Sequence, residues 1–178
     1  MGIRPRVANA DDREAIQALM RASIRDIFPA FYDAQQTRSS IEHIGRADDQ
    51  LIDDGTYFVV EEAGELVACG GWSRRDKLFS GSSEQEGRAR LLDPATEPAR
   101  VRAMFVRPDR TRRGLGTTIL EACEIAARDE AFRRLSLMAT LPGIPLYQRF
   151  GFRVLRHEMI TLPDGVTMAA ASMDKPIG

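Results

Sequence analysis

Between Met104 and Ala122 the chain reads MFVRPDRTRRGLGTTILEA. Arg110, Arg112 and Arg113 stand beside Gly114 and Gly116, where an apolar run hands over to a helix-like one. A helix that begins near Gly114 has several amide N–H groups with no partner inside the helix. Its dipole adds partial positive charge at the same end. Glycine lets a backbone come close to a ligand and takes up turns that other residues resist. The chemistry fits a phosphate, most naturally a diphosphate, which needs several donors at once. Neither the Gly-Lys-Ser/Thr of the phosphate loop nor the third glycine of the dinucleotide fingerprint is present. A tight turn with packing glycines and solvated arginines explains the same residues, and on these residues alone both readings stand.

A second stretch, PLYQRFGF, follows further on and offers Tyr147. A phenol with an ordinary pKa of about 10 is protonated at neutral pH, and a departing thiolate of pKa about 8.5 can take its hydrogen bond or its proton. A core tyrosine with its hydroxyl satisfied by backbone is the alternative.

The elements that must position these residues are legible in outline. Ile3 to Val7 alternates weakly as a first strand. Asp11 or Asp12 caps a helix carrying Ile16, Leu19, Met20, Ile24 and Ile27 on one face, and Pro29 stops it. The spacing predicts a second helix from about Thr37 to Ile52, with Ile41, Ile44, Leu51 and Ile52 inward and Gly55 at its end. Tyr57 to Glu61 and Glu65 to Trp72 read as a hairpin turning at Ala63 and Gly64. Arg74 to Pro98 reads as a long surface insertion within one domain that spans residues 1–178. Arg100 to Val106 is a strand, Leu115 to Arg128 the strongest helix, and Leu135 to Ala139 another strand. A short helix ends at Gly151, and Val154 to Leu162 with Val166 to Met173 form a hairpin at Pro-Asp-Gly. The order predicts a mixed α/β fold with one sheet and helices on its faces.

On these motifs the chain resembles the GNAT superfamily, the N-acetyltransferases that use acetyl-coenzyme A. The resemblance runs over most of the chain and is sharpest between Arg100 and Phe152. It implies a central, mostly antiparallel, splayed sheet flanked by helices. It implies a diphosphate-cradling loop of pattern (Gln/Arg)-x-x-Gly-x-(Gly/Ala), in which Gly114 and Gly116 match the small positions. The first position falls on Thr111, flanked by Arg110 and Arg112, which can substitute. The backbone amides of Arg112, Arg113, Gly114, Leu115, Gly116 and Thr117 serve whatever the side chains. Main-chain groups of Met104, Phe105 and Val106 map to the strand that holds the pantetheine arm. The alternation of Val101, Ala103 and Phe105 breaks at Val106, compatible with a bulge there. Tyr147, Gly151 and Phe152 match the family's second motif, which implies that Tyr147 is the general acid for the leaving thiolate. Leu141 and Ile144 replace the Asn and Ala that commonly precede it.

An ammonium of pKa about 10 must lose a proton before it can attack. The resemblance places a glutamate base on the central strand, yet Arg100 to Arg107 holds no carboxylate. Glu61, Glu62, Asp76, His157 and Glu158 are candidates elsewhere, and a water chain is another. The acceptor, a small-molecule or peptide amine, is expected near the first two helices and the splay, with Phe31, Tyr32, His43, Trp72, Ser73 and Arg74 as candidates. Two rivals remain: a non-catalytic acyl-coenzyme A-binding domain, and a nucleotide-binding α/β domain that uses the anion site for ATP.

Bulk properties narrow the field. The 178 residues are 43% hydrophobic and 29% charged, with a formal net charge of −1. Such a balance gives no reason to expect a nucleic-acid or membrane partner. Cys69 and Cys123 read as buried free thiols, and the two histidines form no metal motif. No apolar run reaches membrane-spanning length and the N-terminus lacks a signal-peptide core, so a cytoplasmic location is expected. A homodimer is compatible with all of this.

Overall fold

The computed structural model describes residues 3–77 and 90–178. Strand β1 (Arg6–Val7) leads through a 3-10 turn into helix α1 (Arg13–Ile27). Ile16, Leu19, Met20 and Ile24 recur at helical spacing and are all buried. The helix stops where Pro29 falls within a 3-10 turn, Phe28–Ala30.

The predicted second helix divides into α2 (Ala34–His43) and α3 (Asp49–Asp53). Asp33 and Gln36 close a capping box that starts α2 earlier than expected. Its end is fixed by Ser40, whose carbonyl accepts from both Ile44 and Gly45. Asp48 then starts α3, its side chain accepting from the Leu51 N–H. The apolar spacing runs through this break, so periodicity alone concealed it.

Strands β2 (Tyr57–Glu62) and β3 (Glu65–Ser73) pair across Ala63 and Gly64, both at positive φ, as a tight hairpin turn requires. Strand β4 (Ala99–Val106), helix α4 (Leu115–Asp129), strand β5 (Arg134–Thr140) and helix α5 (Ile144–Phe150) follow. Strands β6 (Arg153–Thr161) and β7 (Thr167–Pro176) close the chain. The strands form a seven-stranded sheet in the order β1-β2-β3-β4-β5-β7-β6. The β4–β5 pair is parallel, and every other neighbouring pair is antiparallel. This is the mixed, mostly antiparallel sheet that the sequence predicts.

Helix α4 packs Leu115, Ile119, Leu120 and Cys123 against β3, β4 and β5. Ile16, Leu19 and Met20 of α1 pack with Leu51, Val59 and Cys69. Ile24 and Phe28 join Tyr32 and the β6–β7 hairpin. Both cysteines are buried and free. Of the expected surface insertion, residues 78–89 lie outside the described residues. Its flanks are tied down: Arg75 bridges Leu91, and Leu92 is buried in the core. Among the described residues no helix is long and apolar enough to cross a membrane.

Candidate active site

The site begins with a defect in β4. Between the pairs Cys69/Phe105 and Gly71/Arg102 the ladder slips, because Ala103 and Met104 oppose Gly70 alone. Ala103 takes a left-handed φ of 58°, the strained region for a residue with a Cβ. The Tyr57 hydroxyl donates to the Ala103 carbonyl at 2.7 Å and pins the bulge. Gly70 is needed opposite it, since a Cβ there would lie 2.8 Å from the Met104 sulfur. The bulge therefore sits at Ala103–Met104, two residues before the expected Val106. The apolar alternation runs from Val101 through Ala103 to Phe105 and breaks only at Val106, so the extra residue falls inside the pattern and not at its break.

Beyond the bulge β4 parts from β5. Their pairing is confined to Ala99/Leu135 and Arg100/Ser136. On the other side, the Arg107 N–H donates to the Val67 carbonyl at 2.8 Å. In an antiparallel ladder successive residues face opposite neighbours. The Val106 N–H and C=O are thereby turned toward β5, where the ladder has ended.

The loop after β4 supplies the donors. Arg112 and Gly114 both have left-handed φ, 62° and 79°. Helix α4 starts at Leu115 with Gly114 as its N-cap and no side-chain cap. Helix α2, by contrast, has its first turn closed by Asp33 and Gln36. Such a cap is worth about 1 kcal/mol, and α4 forgoes it. Among the described residues no carbonyl or side chain accepts from the amides of Arg112 to Thr117; Thr118 is the first residue whose N–H finds a carbonyl, that of Gly114 at 3.0 Å. No acidic residue stands in the first turn to compete with an anion. Gly116 has a packing reason as well: a Cβ there would meet Leu146 of α5 at 2.6 Å.

The arginines separate by partner. Arg110 is held by Glu62 and Asp109, at 3.1 Å each. Arg113 reaches Glu62 at 3.3 Å and is not among the residues that line the cavity. Arg112 is exposed, lines the cavity and has no ion-pair partner among the described residues. Of the two flanking arginines expected to replace the missing Gln/Arg at Thr111, Arg112 is the one left free to do so.

Tyr147 closes the other side. It is 8% exposed, sits edge-on to Phe152 at 5.8 Å between ring centroids, and is seated over Gly143, where a Cβ would come within 2.8 Å of the ring. Its hydroxyl has no hydrogen-bond partner among the described residues, and it lines the cavity. Burial, and then the nearby Cys123 thiol, push the phenol above its ordinary value, so it keeps its proton at neutral pH. A cavity of about 820 Å³ runs from the amides of the α4 start, past Met104, Phe105 and Val106, to Tyr147. An anion cradle, an opened strand pair and a protonated phenol thus share one cleft.

A family model described as the acetyltransferase (GNAT) family matches residues 20–152. The chain belongs to the GNAT acetyltransferase family.

Solved GNAT structures share its fold. A GCN5-related N-acetyltransferase from Rhodopseudomonas palustris superposes with a TM-score of 0.71 at 17% identity, covering 99% of this chain and 96% of the other. A PaiA N-acetyltransferase from Thermoplasma acidophilum, solved in complex with coenzyme A, gives 0.68 at 14% identity, with 99% of each chain covered. A GNAT acetyltransferase from Brucella melitensis, solved in complex with acetyl-CoA, gives 0.56 at 16%, covering 99% and 89%.

Not every candidate read from the sequence reaches the GNAT cleft. Glu61 pairs with Arg6, Asp76 with Arg90 and Arg100, and Glu158 with Arg156. Glu62 serves Arg110 and Arg113, and His157 is exposed on β6. None of these lines the cavity. Among the acceptor candidates Phe31 does line it. Tyr32 instead donates to the Ala169 carbonyl at 2.7 Å and accepts from the Leu141 N–H at 2.8 Å. Trp72 is buried edge-on to Phe132, with Arg74 over its face. Ser73 is buried on β3, and His43 lies by Asp164 in the β6–β7 turn. Sequence reading missed Ser23, Ile27 and Phe28 of the α1 end, and Thr140 and Arg149. Only Ile27 carried a signal: placed on the inward face of α1, it stands half-exposed at the cleft.

Proposed function

We propose that this protein transfers an acetyl group from acetyl-coenzyme A to a primary amine by direct attack. The observation that carries the reading is the row of unpartnered amides from Arg112 to Thr117, of which all but Arg113 belong to residues lining a cavity that Tyr147 also lines. Those amides hold the diphosphate, and Arg112 adds charge beside it. Main-chain groups of Met104, Phe105 and Val106 pair with the pantetheine amides, as an added strand would. The Val106 N–H polarises the thioester carbonyl, where donors aimed at the developing oxyanion contribute most.

The amine lone pair forms the C–N bond and the C–S bond breaks. Tyr147 gives its proton to the departing sulfur and recovers one from the nitrogen, so the net proton passes from nitrogen to sulfur. The solved relatives in complex with coenzyme A and with acetyl-CoA support the choice of cosubstrate.

Calorimetry with coenzyme A and with ATP, together with thiol release from acetyl-coenzyme A over a panel of amines, tests the reading. Micromolar coenzyme A binding, weaker ATP binding and amine-dependent thiol release are expected. Binding of coenzyme A without turnover of any amine would favour instead a non-catalytic acyl-coenzyme A-binding domain. The lack of a carboxylate among the described cavity-lining residues is the one feature that speaks for that second reading.

A further inference from the structure

Granting the acetyl transfer proposed above, we infer that the acceptor is a monoamine on an apolar body, with a nitrogen basic enough to attack but acidic enough to shed its own proton. Ile27, Phe28 and Phe31, from the end of α1 and the turn after it, build an apolar wall of the same cavity. Phe31 is 48% exposed, so its ring offers an apolar face in this cavity that a ligand can cover. The titratable side chains that line the cavity among the described residues are Tyr147 and three arginines, 110, 112 and 149. A polyamine or another polycation would bring further positive charge to this surface and find no anion there. An apolar amine finds the aromatic wall, and hydroxyls of Ser23 and Thr140 that line the same cavity and have no hydrogen-bond partner among the described residues.

The proton balance points the same way. With Tyr147 holding its proton, the amine must arrive neutral. An α-amino group has a pKa of about 7.7–8.0 and an alkylamine about 10.4. At neutral pH the neutral fraction differs by a few hundredfold, which no residue in this wall is placed to make up.

Three probes separate the parts of the inference: phenylalanine amide, phenethylamine and spermidine. At pH 7.5 kcat/KM should be highest for phenylalanine amide, at least about tenfold lower for phenethylamine, and lower again for spermidine. For phenethylamine it should rise about tenfold per pH unit from 7 to 9, because deprotonation occurs on the amine itself. Phe31→Asp places a carboxylate in the exposed part of the wall. It should raise spermidine turnover and lower that of phenylalanine amide, with coenzyme A affinity unchanged by calorimetry. If coenzyme A binds and spermidine is the better substrate of the unmodified protein, the acceptor inference is overturned while the cradle stands. Binding with none of the three acetylated overturns it too. Failure to bind coenzyme A removes the cradle itself and the acceptor with it.

Discussion

The two ends of the β4–β5 pair differ in what their polar groups meet. At the start of β4, Ala99 and Arg100 are paired with β5, and Arg102 is buried on Asp48 at 2.7 Å. Trp72 and Phe132 fill the space beside them. Two buried nitrogens there, Trp72 Nε1 and Arg100 Nε, lack partners, yet they are sealed from any ligand. At the far end the Arg112–Thr117 amides and the Tyr147 hydroxyl also lack partners, but Arg112, Gly114 to Thr117 and Tyr147 line one cavity. An unpaired donor is costly when it is enclosed and useful when a ligand can reach it. Access, rather than lack of a partner, separates a defect from a binding site.

The contrast is broken most severely at the closed end. Asp48→Asn leaves Arg102 buried without its anion and should cost about 3 kcal/mol or more, read by urea denaturation, with activity per folded molecule retained. The pH dependence has a defined sign. Burial raises the Asp48 carboxyl, but the Arg102 charge and hydrogen bonds outweigh it and hold the carboxyl below its usual 3.8. A depressed carboxylate adds stability above its unfolded value and loses it as pH falls through the folded one. The native protein should therefore shed this contribution below about pH 4, and the Asn variant should show a shallower acid slope. An equal slope in both would remove the pair from the account.

At the open end Tyr147→Phe should lower kcat about 100-fold, near 2.7 kcal/mol, with little change in KM for acetyl-coenzyme A or in melting temperature. A loss confined to stability would make Tyr147 a core residue. Gly114→Ala tests the cradle: nothing lies within 4 Å of the added Cβ, but φ is +79°, so the cost is backbone strain of about 1 kcal/mol. With alanine there the free loop relaxes out of the left-handed turn, and coenzyme A, which must restore it, should bind roughly fivefold more weakly. Smallest of all, Arg112→Gln should weaken coenzyme A by roughly two- to fivefold, an effect that fades in about 0.5 M salt.

Much of the fold was legible because local rules agreed. Alternation and the Ala63–Gly64 turn gave the hairpin, and helical spacing gave α1 and α4. The division of α2 from α3 was written in Gly45 and Asp48, a stop and a cap, but the apolar spacing continued across them. The candidate site was legible where it rests on backbone, at Gly114 and Gly116, and where a motif marks it, at Tyr147. Ser23, Phe28, Thr140 and Arg149 were not, since nothing in their local sequence says which cavity they border. Trp72 is a case where the plainer reading holds: the conspicuous Cys-Gly-Gly-Trp-Ser leaves the indole packed in the core, and its glycines serve the bulge and the tight packing of Tyr57.

The sequence by itself determined the donors. A left-handed glycine and an uncapped helix start are local backbone chemistry, and local chemistry is carried by neighbouring residues. Only the tertiary structure decided which donors stay unpaired, which arginine is left without a carboxylate and which apolar side chains line the cavity. Those outcomes depend on partners far away in the chain, on Glu62 for Arg113, on Tyr57 for the bulge and on the end of α1 for the apolar wall of the cavity. No spacing rule reaches across such separations; folding brings the partners together.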